Sequence, residues 1–133
     1  MKRIKVLIAD DHQDFRRVVH DFLDQLPNVS VVGEAVDGDD ALHKVENLFP
    51  DVVLMDISKP QMNGIEATRV IKQRWPGTKV IIATTHDDPM YRKQAFEARA
   101  DGFIVKSTMK TSLEATFCVQ SPSTPMPKLN HIQ

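Results

Sequence analysis

Two adjacent aspartates, Asp10 and Asp11, stop the apolar run Ile4-Lys5-Val6-Leu7-Ile8-Ala9; Asp56 stops Val52-Val53-Leu54-Met55, and Lys106 stops Gly102-Phe103-Ile104-Val105. If these runs are neighbouring parallel strands, their ends share one edge, and an open parallel sheet binds ligands in the crevice outside the carboxyl ends of its strands. Converging carboxylates repel one another unless a cation or a proton joins them. The set therefore calls for a divalent metal and leaves Lys106 to meet an anion. A hard cation such as Mg2+ wants about six oxygens at about 2.1 Å, which carboxylates, a backbone carbonyl and waters can supply. Adjacent strand residues point to opposite faces, so Asp10 and Asp11 reach one site only where the strand ends; favouring the positive end of the following helix is the competing role for the pair. Asp56, entering a loop whose path Pro60 and Gly64 fix, can act as a nucleophile toward phosphorus and form an aspartyl phosphate. Such a transfer needs charge neutralisation and positioning more than covalent help. Lys106 can pair with a phosphoryl oxygen, and Thr84 or Thr85 can donate a hydroxyl to one.

The elements that must position these groups alternate along the chain. Ile4 to Ala9, Val29 to Ala35, Asp51 to Asp56, Lys79 to Thr84 and Gly102 to Val105 read as strands, short and apolar as in a sheet covered on both faces. Between them lie stretches of helical period. Phe15, Val18, Val19, Phe22, Leu23 and Leu26 form the first, stopped by Pro27-Asn28. Ala41, Leu42, Val45 and Leu48 form the second, with Asp37-Gly38-Asp39 as turn and cap and Pro50 as its end. Ile65 to Trp75, Met90 to Ala98 and Thr111 to Val119 complete the set. Five strands alternating with five helices predict a parallel sheet with helices on both faces and right-handed crossovers.

The bulk numbers fit this reading. A chain of 133 residues suits one domain, and 26% charged with 41% hydrophobic residues is ordinary for a globular protein. A net charge of −1 gives no basic field for nucleic acid; acidic charge gathers instead at Asp10-Asp11, Asp37 to Asp40 and Asp87-Asp88. The single cysteine, Cys118, excludes an internal disulfide and reads as a small helical hydrophobe. No run approaches a membrane span or a signal-peptide core, and the expectation is a cytoplasmic protein that binds neither membrane nor nucleic acid. From Ser121 the sequence Ser-Pro-Ser-Thr-Pro-Met-Pro precludes regular structure, so 1–120 is expected to be one domain and 121–133 a tail or the start of a linker.

The motifs Ala9-Asp10-Asp11-His12, Val32-Gly33-Glu34-Ala35 with Asp37-Gly38, Pro50 to Asp56, Pro60 to Ala67, Val80 to Thr84 and Gly102 to Lys106 together resemble a receiver domain of a bacterial two-component response regulator, from Ile4 to about Val119. Val-Gly-Glu-Ala, Thr85 to Asp88 and Lys106-Ser107 are most similar to the nitrate-regulator class, whose members usually carry a LuxR-type helix-turn-helix output domain. The resemblance implies a flavodoxin-like sheet of strand order 2-1-3-4-5. It implies a phosphoacceptor rather than an enzyme, with Asp56 taking the phosphoryl group from a sensor histidine kinase. Asp11, Asp56 and the main-chain carbonyl of Ser58 would hold Mg2+ directly and Asp10 through water. Thr84 would be the switch hydroxyl, Lys106 the phosphoryl ligand, and Phe103 the aromatic whose rotamer tracks activation. The face of the fourth helix, fifth strand and last helix would change partner affinity and could form a homodimer, with transcription regulated through a domain outside this chain.

The chain departs from the family pattern in three places. Lys59 stands where Met or Leu is usual and could lean into the acidic pocket, weakening Mg2+ binding. Arg99 stands where glycine is usual, after the fourth helix, at a position that commonly needs a left-handed backbone. No helix-turn-helix pattern follows the last helix. A Mg2+-dependent phosphohydrolase is disfavoured because Ser58 occupies the place of that class's acid/base aspartate. The chain reads either as a stand-alone receiver or as one cut from a longer regulator, and a stand-alone or pseudo-receiver acting as a phosphorylation-independent interaction module is the remaining alternative.

Overall fold

The computed structural model describes residues 3–57 and 63–117. Five parallel strands, β1 (Ile4–Ala9), β2 (Val29–Ala35), β3 (Val52–Asp56), β4 (Lys79–Thr84) and β5 (Gly102–Val105), form one sheet in the order β2-β1-β3-β4-β5. The crossovers are α1 (Gln13–Asp24), α2 (Gly38–Leu48), α3 (Gly64–Arg74) and α4 (Pro89–Glu97), and α5 (Met109–Phe117) follows β5 after a 3-10 turn at Lys106–Thr108. The order and the alternation are those expected from the sequence.

Side chains alternate across each strand and so feed two cores. Leu7, Val53, Met55, Val80, Ile82 and Phe103 face α2, α3 and α4, packing on Ala41, Val45, Ala67, Ile71 and Ala95. Val6, Ile8, Leu54, Ile81 and Ile104 face α1 and α5, packing on Val19, Leu23, Leu113 and Phe117. Because β1, β3 and β4 are covered on both faces, their sequences are almost continuously apolar rather than alternating.

Helix ends differ in detail from the sequence expectation. α2 ends at Leu48, and Phe49, not Pro50, makes the break, in a left-handed conformation at φ 49°. The proline acts one residue earlier than its own position because its ring disfavours the α region for the preceding residue. α4 starts at Pro89, whose missing N–H costs nothing at a first helical position; Asp88 caps it by accepting from the Met90 amide at 2.8 Å. α5 begins at Met109 rather than Thr111. The expected helical setting of Cys118 and the tail 121–133 lie outside the described residues.

Arg99 has the left-handed backbone that its position suggested, at φ 68°. The Ala100 amide donates to the Ala95 carbonyl and the Arg99 amide to the Phe96 carbonyl, both at 3.0 Å. This is a Schellman ending with arginine in the place glycine prefers. Arg99→Gly should therefore stabilise the fold by about 1 kcal/mol. A rise in melting temperature checks this, and an unchanged or lowered one contradicts it.

At the amino edge of the sheet two acids stitch strand starts together. Asp51 Oδ2 accepts from the Lys5 amide at 2.8 Å, while the Asp51 main chain bonds Lys5 and Lys79. Asp101 Oδ2 accepts from the Val80 amide and from Lys72 Nζ, each at 2.8 Å.

Candidate functional site

The carboxyl edge gathers the groups singled out above. β1 ends at Ala9, and the chain turns at once: the His12 amide donates to Asp10 Oδ1 at 2.8 Å, and His12 becomes the N-cap residue of α1. That turn brings Asp10 and Asp11 together, the outcome that strand geometry alone forbids. Ligand atoms of Asp10, Asp11 and His12 all lie within 4.8 Å of one another. Asp10 is buried, 1% exposed, whereas Asp11 and His12 face solvent. Asp56, the last residue of β3, is also 1% exposed.

Lys106 joins the two buried acids. Its Nζ is 2.7 Å from Asp10 Oδ2 and 3.2 Å from Asp56 Oδ1. Lys106, expected to be left to meet an anion, lies between the two carboxylates and neutralises part of their charge. The ring of Phe15, in the first turn of α1, lies 4.0 Å from the same ammonium, a cation–π contact that directs Lys106 toward the acids. The donor set of hard carboxylate oxygens, gathered around a partly exposed acid, is the chemistry a small hard cation requires. Among the described residues, Asp10, Asp11 and His12 lie close enough together to hold a small cation, and Lys106 ties Asp56 to the same edge. Ser58, whose carbonyl was expected to join them, and Lys59 lie outside the described residues.

The two threonines at the end of β4 differ in burial. Thr84 is fully buried at the end of β4, next to the strand that ends in Asp56, and Thr85 is exposed. Thr84 Oγ1 accepts from the His86 amide at 3.3 Å. Phe103 is buried, its ring under the Arg92 guanidinium at 4.7 Å, and Arg92 Nε donates to Asp87 Oδ1 at 2.6 Å. Arg92 holds the Asp87 carboxyl below the usual carboxylate range.

Sequence reasoning missed the roles of Phe15 and Arg16. Phe15 fits the apolar period of α1, and periodicity cannot separate a ring packed on a core from one packed on a lysine. Arg16 Nη1 donates to the Asp10 carbonyl at 2.7 Å and its Nε to Glu34 Oε1 at 2.9 Å. The only advance signal was Glu34, an acid inside the apolar second strand.

Glu34 also meets His20, Nδ1 to Oε2, at 2.8 Å. The His20 hydrogen bond, aided by Arg16, outweighs desolvation and holds the Glu34 carboxyl below its ordinary 4.5. A depressed carboxylate contributes stability that is present above the unfolded pKa and lost as pH falls through the folded one. Stability should therefore drop below about pH 4.5, and Glu34→Gln should drop less over the same window. Urea denaturation of both proteins across that range checks the difference; parallel curves would contradict it.

With this geometry in place, comparison defines the class. The family model of the response regulator receiver domain matches residues 6–117, and the chain belongs to that family. It is 42% identical over 104 residues to the transcriptional regulatory protein DegU of Brevibacillus brevis, covering 78% of this chain and 44% of that protein. The signal receiver domain of the response regulator NarL from Mycobacterium tuberculosis superposes with a TM-score of 0.78 at 34% identity, covering 84% of this chain and 90% of that one. A LuxR-family two-component response regulator from Aurantimonas gives 0.78 at 30% identity, covering 93% and 91%. The resemblance to receivers of the nitrate-regulator and LuxR-type class is therefore correct. The chain spans about half the length of the curated relatives it matches. No helix among the described residues is long and apolar enough to cross a membrane.

Proposed function

We propose that this receiver is a phosphorylation switch in which Asp56 takes a phosphoryl group from the phosphohistidine of a sensor histidine kinase. The observation that carries the reading is the buried Asp56 carboxylate at a strand end, 3.2 Å from the Lys106 ammonium that also holds Asp10. An Asp56 oxygen bonds to phosphorus while the P–N bond to the kinase imidazole breaks, and the imidazole keeps that electron pair and gains a proton. Lys106 then trades its carboxylate contact for a phosphoryl oxygen. Thr84 turns its hydroxyl from the His86 amide to another phosphoryl oxygen. Asp11, Asp56 and the Ser58 carbonyl would hold Mg2+ directly and Asp10 through water; bound there, the cation offsets the charge of acids and phosphoryl oxygens. Fixed charges of this kind, more than covalent assistance, are what phosphoryl transfer needs.

The new oxygens favour one of two pre-existing states of the domain. Phe103, the β4–α4 loop and the face of α4, β5 and α5 are the elements that read it. Met90 and Phe96 of α4 are 64% and 66% exposed, which suits that region to a partner or a second copy. Residues 1–120 form the receiver, and transcriptional output resides in a domain outside this chain, so the chain itself binds no DNA. Incubation with acetyl phosphate and Mg2+ should add one phosphoryl mass, read by intact mass spectrometry. Asp56→Asn should add none. Unmodified wild-type protein, or equal modification of Asp56→Asn, would overturn the reading.

A further inference from the structure

We infer that Arg16 is a positioning residue for the pocket, holding the Asp10–Asp11 turn in the shape that accepts the cation; this rests on the proposed Mg2+ and phosphoryl site. The Asp10 peptide is fixed on both sides. Its amide donates to the Ala35 carbonyl of β2 at 3.0 Å, and its carbonyl accepts from Arg16 Nη1 at 2.7 Å. That carbonyl belongs to the peptide whose nitrogen is Asp11, so its orientation sets where the Asp11 side chain departs. Arg16 is itself held: only 12% of its side chain is exposed, and its Nε bonds Glu34 Oε1 at 2.9 Å. Glu34 is braced in turn by His20 through Oε2, and Lys44 Nζ donates to the Glu34 carbonyl at 2.5 Å. A chain of directed bonds thus runs from the middle of α1 and the middle of α2, through β2, to the backbone between the two acids.

Arginine suits this place because its planar fork makes two bonds in fixed directions. Lysine would keep the charge but could not reproduce both. The same geometry separates three roles by sign. If Arg16 acts only as a positive charge near the acids, its removal strengthens cation binding. If it only supports the fold, removal lowers the melting temperature and leaves Mg2+ affinity of the folded protein unchanged. If it positions the turn, removal weakens Mg2+ binding despite the relieved repulsion, since groups that orient metal ligands typically matter by roughly 10- to 100-fold in affinity.

The experiment is calorimetric titration of Mg2+ into the 133-residue chain and its variants, with thermal melts in the same buffer. Arg16→Gln should bind Mg2+ about tenfold more weakly, and Arg16→Lys should fall between it and wild type. Should Arg16→Gln fail to fold, Glu34→Gln, which removes the brace and leaves Arg16 present, should still weaken binding. Unchanged or tighter Mg2+ binding in the folded variants, with wild type binding normally and taking up the phosphoryl group, would overturn the positioning role and leave the proposed function standing. A wild-type chain that binds no Mg2+ would overturn both.

Discussion

Lys106→Met is expected to destabilise the folded protein by about 3–5 kcal/mol, the usual consequence of leaving a buried ionic group without its partner. The substitution keeps the length of the stem and its apolar packing, so the loss isolates the ammonium. Lys106 Nζ spans Asp10 and Asp56, each 1% exposed, and without it two buried carboxylates face one another. Two controls fix the cause. Adding Asp10→Asn to Lys106→Met should recover most of the loss, as coupled neighbours do in a double-mutant cycle. Mg2+ should raise the melting temperature of Lys106→Met more than that of wild type, since it replaces the missing positive charge. Urea denaturation with and without Mg2+ reads both; a loss that neither control reduces would show that the cause is packing.

Gly64→Ala is expected to slow phosphoryl uptake by about 100-fold, through geometry rather than charge. Gly64 opens α3, and a Cβ there would lie 2.4 Å from the Asp56 carbonyl oxygen, 2.9 Å from Ile57 Cγ2 and 3.2 Å from Met55 Cγ. Ile57 and Met55 could give a little, but a strand carbonyl cannot move without moving Asp56 itself. The first turn of α3 cannot retreat easily either, because Gly64, Ala67 and Thr68 are buried and the helix is packed against the sheet through Ala67 and Ile71. Overpacking of this kind costs about 1–3 kcal/mol, partly offset by the better helix propensity of alanine, worth up to about 1 kcal/mol. The larger consequence is kinetic. Displacement of a reacting group by about 1 Å can cost about 100-fold in rate, so acetyl phosphate labelling of folded Gly64→Ala should slow by about that factor. A variant that melts lower but labels at the wild-type rate would show that α3, not β3, absorbs the clash.

The sheet and the convergence of Asp10, Asp11, Asp56 and Lys106 were legible because each strand is a short apolar run ended by the residue concerned. Strand order could not come from periodicity; it came from the receiver resemblance, and the sheet has that order. Arg99 was legible as a left-handed position because it follows a helix at the place where glycine is favoured. What the sequence did not disclose are contacts made at a distance. Phe15 obeys the same three-four spacing whether it packs on leucines or, as it does, also on Lys106. Arg16 looks like any polar residue of an amphipathic helix until β2 brings Glu34 beside it, 18 residues along the chain. The two roles of Gly64, helix start and close neighbour of the Asp56 carbonyl, are likewise fixed by how α3 meets β3, which no local pattern encodes.

The acids at the amino edge have a mechanical consequence. Asp51 fastens the beginnings of β1, β3 and β4, and Asp101 fastens those of β4 and β5 with Lys72. At the other edge β1, β3 and β5 are linked by one lysine and its two carboxylates. The heel of the sheet is therefore fastened by bonds to the strand backbones, whereas the link across its tip runs through a single side chain. If, as proposed, Asp56 takes a phosphoryl group, the added charge falls at the tip, where local opening can answer it while the heel stays in register.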